Sequence, residues 1–163
     1  MLVDNEPGVL ARVAGLFSGR GFNIESLCVS ETLDPTVSRM TIVTRGDDQV
    51  FEQIVKQLNK LVNVIKVIEH EGRDHVEREM ALIQVRVNEH TRSEVLSIVE
   101  IFRGKVVDVS PQAYTIEVTG DGQKIAAILE LLRPLGIREV ARTGAVAMNR
   151  AEKRRRAKEV SDG

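Results

Sequence analysis

Apolar positions along this chain switch between two periods. Val9, Leu10, Val13, Leu16 and Phe17 fall on one helical face, so the pattern predicts a helix beginning at Pro7. Proline suits a first helical position, where its missing N–H has no intrahelical partner. Gly19 and Gly21 end that helix. Residues 23 to 31 then read as a strand, "TLDPTV" as a turn and "SRMTIVTR" as the next strand. "GDD" opens a second helix with Val50, Phe51, Ile54, Val55, Leu58 and Leu61 on one face. The β-rich run "NVIKVIEH" closes the unit. With a short strand over residues 1 to 4, the order is β-α-β-β-α-β.

Residues 72 to 79, "GRDHVERE", are polar and charged and read as a linker. The order then repeats. "MALIQVRV" is a strand, and residues 92 to 103 form a helix with Val95, Ile98, Val99 and Phe102 inward. "KVVDV" and "AYTIEV" are strands separated by Ser110-Pro111-Gln112. A helix follows around Ile125, Ile128, Leu129 and Leu132, and residues 137 to 148 return as one strand. The expected fold class is therefore α+β: two ferredoxin-like βαββαβ units. They span residues 1–71 and 80–148, followed by a polar basic tail at 149–163. The repeat is one of pattern, not of residue identity.

Composition changes this picture in a few places. Aromatic residues make up 3% and Trp is absent, so the cores must be aliphatic. The net charge of −1 exerts no general pull on nucleic acid or anionic membranes. No apolar run approaches the ~18 residues of a membrane helix. Cys28 is the single cysteine, so no intrachain disulfide forms, and a cytoplasmic location is the simplest reading. Residues 150 to 159 carry six basic and two acidic groups. That tail reads as a solvated end or as an electrostatic contact with an acidic partner surface.

Catalytic and metal-binding patterns are missing. His70, His75 and His90 are not at metal-ligand spacing with one another or with Cys28, so they read as surface groups. There is no nucleophile elbow, phosphate-binding loop or dinucleotide fingerprint.

The stretch "DNEPGVLARVAGLFSGRGFNIESL" is different. A helix start leaves N–H groups unpaired and carries partial positive charge. Gly8, Val9 and Leu10 supply such donors, and Gly8 has no Cβ to hinder an approaching anion. Asn5 sits just before them, and Asn23 opens the next strand. A small zwitterion suits this set, with its carboxylate on the helix N–H groups and its ammonium on amide or carbonyl oxygens. The alternative is that Asn5 caps the helix and Asn23 makes a turn. An acid at position 8 is expected to cost little stability, since acids are tolerated near a helix start.

"NEPGVLARVAGLFSGRGFNIESL", "DPTVSRMTIVTRGD", "QIVKQLNKLVNVIKV" and "EIFRGKVVDVSP" together resemble the regulatory small subunit of acetohydroxyacid synthase, also called acetolactate synthase. The resemblance covers nearly the whole chain, and its first part is similar to ACT domains in general. It implies a non-catalytic subunit that binds and activates a separate large subunit on the route to branched-chain amino acids. That large subunit would hold thiamine diphosphate, magnesium and FAD, leaving no cofactor and no metal on this chain. The resemblance further implies feedback inhibition by valine, bound where the ACT domains of a homodimer meet. Asn5 and the backbone at Pro7, Gly8, Val9 and Leu10 would come from one subunit, and Asn23 and Ile24 from its neighbour. Family members usually have a longer first strand, whereas only "MLV" precedes Asp4 here. The second unit has "NEHTRSEVL" in place of "DNEPGVL", so no such site is expected there. The rival reading is an ACT-like ligand-sensing transcriptional or metal-responsive regulator. Against it stand the net charge and the lack of a helix-turn-helix pattern. Neither nucleic acid nor membrane is an expected partner.

Overall fold

A computed structural model describes residues 1–70 and 74–151. The first unit runs β1 (Leu2–Asp4), α1 (Val9–Gly19), β2 (Ile24–Glu31), β3 (Val37–Thr44), α2 (Asp48–Leu58) and β4 (Val64–Lys66). The second runs β5 (His75–Arg86), α3 (Arg92–Ile101), β6 (Lys105–Val109), β7 (Ala113–Gly120), α4 (Gly122–Gly136), β8 (Ile137–Arg142) and β9 (Val146–Asn149). The strand orders are β2-β3-β1-β4 and β6-β7-β5-β8, so each unit places its first strand inside and its second at an edge. All strand pairs are antiparallel. These are two ferredoxin-like, ACT-type units, as the periodicity predicts.

Each sheet buries one face under its two helices. Val3, Val9, Val13, Phe17, Met40, Ile54 and Leu58 form the first core. Ile83, Ile116, Ile125, Ile128 and Leu132 lie at the centre of the second. The helix starts are made locally. Asp47 accepts a bond from the Val50 N–H at 2.9 Å, and Asp121 from the Lys124 N–H at 2.8 Å. Each thereby satisfies one of the donors that a helix start leaves open.

Several boundaries differ from the sequence expectation. The first helix begins at Val9, not Pro7, because Gly8 has φ 88° and cannot belong to a right-handed helix. β4 stops at Lys66, although "NVIKVIEH" is β-rich to residue 70. Its partner β1 has only three residues and pairs it through Leu2 and Val3. Past Met1, Met40–Thr44 of β3 and Val67–His70 stand apart with a gap between them among the described residues. A cavity of 380 Å³ fills that gap, floored by Phe17, Ile54 and Leu58.

The stretch 137 to 148 is not one strand. β8 pairs with Ala81–Val85 of β5, β9 pairs with His75–Arg78, and the register advances by one residue between them. Thr143 to Ala145 takes up the extra residue, with Gly144 at φ 79°. Thr143 stays tied to β5: its N–H donates to the Met80 carbonyl at 3.0 Å, and its Oγ1 accepts from the Met80 N–H at 3.1 Å.

β5 also claims residues 75 to 79 from the expected linker. Residues 72 and 73 of that linker, and the tail from residue 152, lie outside the described residues. Polarity misleads here because Glu79 is buried as an ion pair. Its two oxygens accept from Arg142 Nε at 2.6 Å and Nη2 at 2.9 Å, and Glu79 is only 6% exposed. That bond holds the Arg142 guanidinium above its ordinary pKa. Removing the arginine strands a buried carboxylate. Arg142→Ala is expected to cost about 2 kcal/mol, below the fully buried case because Arg142 itself is half exposed. Urea unfolding should show the midpoint falling with an unchanged slope.

Candidate effector site

The chain between β1 and α1 is held from two sides. The Asn5 N–H donates to the Thr36 carbonyl at 2.8 Å. Its side-chain Nδ2 donates to Glu31 Oε1 at 3.1 Å and to the Pro35 carbonyl at 2.9 Å. On the other side, Arg12 Nη1 donates to Asn63 Oδ1 at 2.6 Å, and Asn63 Nδ2 donates to Asp4 at 3.3 Å. The β2–β3 turn is tightened by Asp34, which accepts from the Thr36 N–H at 2.9 Å and the Thr36 hydroxyl at 2.7 Å. Those bonds favour the ionised form and lower the Asp34 pKa.

These contacts exclude the capping reading of Asn5. It does not cap α1, which starts without any side-chain cap. Its amide nitrogen is spent on β2 and the β2–β3 turn, and its Oδ1 takes no bond among the described residues. The ladder of α1 begins with the Arg12 N–H to the Gly8 carbonyl at 3.0 Å. The N–H groups of Leu10 and Ala11 precede it with no backbone partner among the described residues. The Val9 N–H reaches the Glu6 carbonyl only at 3.4 Å. A Cβ built on Gly8 would meet nothing within 4 Å, so the approach to these donors is open. Val9 is buried in the core and offers only backbone, while the Leu10 side chain is 45% exposed beside the donors.

Five of the expected residues, Asn5, Pro7, Gly8, Val9 and Leu10, thus gather at one end of the sheet. Asn23 and Ile24 do not join them. Asp4 pairs with Val37 and Ile24 with Thr44, at opposite ends of β3. At ~3.3 Å per residue the two groups are separated by roughly 23 Å along that strand. Asn23 is exposed, with its carbonyl accepting from Thr44 Oγ1 at 2.6 Å, and Ile24 packs half-buried on the first core. Both stand at the start of β2, an edge strand.

Glu31 was missed from the sequence. It reads there as the polar end of a strand, and nothing in its spacing points to Asn5. Only the pairing of β3 with both β1 and β2 brings the two together. The 380 Å³ cavity belongs to a different place, past Met1 at the far end of β1, where the His70 and His75 rings lie 5.3 Å apart. Among the described residues, no group of three or more His, Cys, Asp or Glu could hold a metal ion. No helix among them is long and apolar enough to cross a membrane.

Paired ferredoxin-like units with a polar, open helix start place the chain in the ACT-type class. The comparisons with known proteins narrow that class. Residues 1–66 match a family model described as an AHAS small subunit-like ACT domain. Residues 78–151 match one described as the small subunit of acetolactate synthase. A probable acetolactate synthase small subunit from Methanothermobacter thermautotrophicus is 56% identical over 93% of this chain and 91% of that protein. The acetolactate synthase small subunit of Aquifex aeolicus is 60% identical over 91% of this chain and 78% of its own length. The crystal structure of the Thermotoga maritima small subunit superposes with a TM-score of 0.85 at 49% identity, covering 94% of this chain and 96% of that one. The chain belongs to the acetolactate synthase small-subunit family, whose members are regulatory subunits.

Proposed function

We propose that this chain forms a homodimer through its ACT domains, binds valine at the junction, and thereby lowers the activity of the large catalytic subunit that it otherwise raises. The observation that carries this reading is the separation of Asn5 and Gly8 from Asn23 along one sheet, with β2 at its edge. Two β2 edges related by a two-fold axis pair antiparallel. Centred near the middle of the strand, on Leu27 or Cys28, this pairing lays the start of one β2 against the end of the other. Asn23 then arrives beside Asn5 and the open start of α1.

Valine fits the chemistry of that junction. Its carboxylate takes the N–H groups of Leu10 and Ala11, which Gly8 leaves accessible, and the dipole of α1 favours the negative charge. Its ammonium takes the Asn5 Oδ1. Its side chain meets Leu10 and the partner's Ile24. Valine acts on the large subunit only if it binds one arrangement of the dimer better than another. A coupling of ~1–3 kcal/mol is typical of such switches.

The reaction chemistry lies with the large subunit, with thiamine diphosphate, magnesium and FAD as its cofactors. The isolated chain is expected to convert no pyruvate when these three are supplied. Adding it to the large subunit should raise turnover above that of the large subunit alone, and valine should take that increase away. Turnover by the chain alone above contaminant level, or no change on mixing, would overturn the assignment.

A further inference from the structure

We infer that Glu31 is the group that makes this site select an amino acid rather than the carboxylic acid of the same skeleton. The inference rests on the effector reading above and adds a residue to it. The expected site holds the ligand's carboxylate well but offers its ammonium only neutral oxygens. Glu31 supplies the missing charge. Its Oε1 accepts from Asn5 Nδ2 at 3.1 Å, which turns Asn5 so that Oδ1 stays available. Its Oε2 takes no bond among the described residues, and the side chain is exposed at the end of β2 nearest Asn5. Pairing of two β2 edges would bring the start of the partner's strand, Asn23 and Ile24, against this end of β2 and shield the carboxylate from water. A charge shielded from water by an apolar neighbour interacts more strongly than one in solvent.

A carboxylate in that place acts in two directions. It attracts an ammonium, and it repels a ligand that carries a carboxylate but no ammonium. An oxo acid also leaves Glu31 Oε2 without a donor while the site closes over it. The Thr32–Thr36 turn keeps Glu31 in place: Thr32 Oγ1 accepts from the Asp34 N–H at 3.2 Å and donates to the Val37 carbonyl at 3.0 Å.

Glu31→Gln tests this cleanly, because the glutamine Oε1 can keep the bond from Asn5 while the charge is removed. Calorimetric titration with valine and with 3-methyl-2-oxobutanoate, which replaces the ammonium-bearing carbon by a carbonyl, reads the selectivity. The unaltered chain should prefer valine by ~100-fold or more, as expected where a polar group is left unpaired by the wrong ligand. Glu31→Gln should weaken valine by ~10-fold or more, since a charge-assisted bond is lost, and narrow the preference to below ~10-fold. Sedimentation equilibrium on both proteins checks that the dimer persists. Glu31→Asp, which keeps the charge but shortens its reach, should fall between the two. Valine affinity and selectivity unchanged in Glu31→Gln, while Gly8→Asp abolishes binding, would overturn the role of Glu31 and leave the effector site standing. Valine binding unchanged in both variants would overturn the site itself.

Discussion

Gly8→Asp should abolish valine binding and, with it, the feedback effect on the large subunit. The variant places a carboxylate in the open space above Gly8, where nothing lies within 4 Å of a built Cβ. The ligand's own carboxylate would occupy that space. Two like charges ~4 Å apart repel by about 4 kcal/mol at an effective dielectric of 20, so affinity should fall by more than about a hundredfold. The fold should survive, but at a greater cost than the sequence reading expected. Gly8 is left-handed at φ 88°, a conformation that costs an L-residue ~1–2 kcal/mol. Gly8→Ala separates the two effects, since it carries the same backbone strain without the charge. Calorimetric titration should find Gly8→Ala closer to the unaltered chain than to Gly8→Asp. Equal affinity for valine in Gly8→Asp and the unaltered chain would remove Gly8 from the site.

Mixing two inactive variants should restore binding. If Asn5 and Gly8 come from one subunit and Asn23 and Ile24 from the other, Gly8→Asp and Asn23→Ala each spoil every site in their own homodimer. A heterodimer of the two carries one doubly altered site and one intact site. Random re-pairing makes about half the dimers mixed, so the mixture should recover about half a site per dimer. The same arrangement links ligand to assembly. Valine should tighten dimerisation at low protein concentration, by ~2.7 kcal/mol at a hundredfold excess over its dissociation constant. Heterodimers proven by native mass spectrometry but unable to bind valine would mean that each site lies within one chain. The roughly 23 Å between the two groups of residues argues against that outcome.

The elements were legible in the sequence where periodicity was long and uninterrupted. The aliphatic faces of α1 and α2, and the alternation in β3 and β5, sort buried from exposed positions without reference to any neighbour. Legibility failed where a residue's state depends on its pairing partner. Residues 67–70 are β-rich yet extend no strand, because β1 offers only Leu2 and Val3 to pair with β4. Residues 75–79 are polar yet form strand, because β9 and β7 pair with them and Arg142 meets Glu79. The break at Thr143–Ala145 follows from β5 running far enough to pair with both β8 and β9.

The proposed effector site divides in the same way. Local sequence placed a helix start beside Gly8 and just after an asparagine, though at Pro7 rather than Val9, because turn and helix-start chemistry acts over a few consecutive residues. It also determined the βαββαβ order, which follows from the alternation of apolar periods. The tertiary structure alone decided which of these groups lie together. It turned Asn5 away from the helix and toward Glu31 and Pro35, because β3 lies between β1 and β2 and draws both to one end of the sheet. It put Asn23 at the other end and left β2 at the edge of its sheet with no further strand among the described residues, because the fold places its second strand outermost. Which residues become neighbours is a property of strand order and register, and neither is written in any stretch short enough to read by itself.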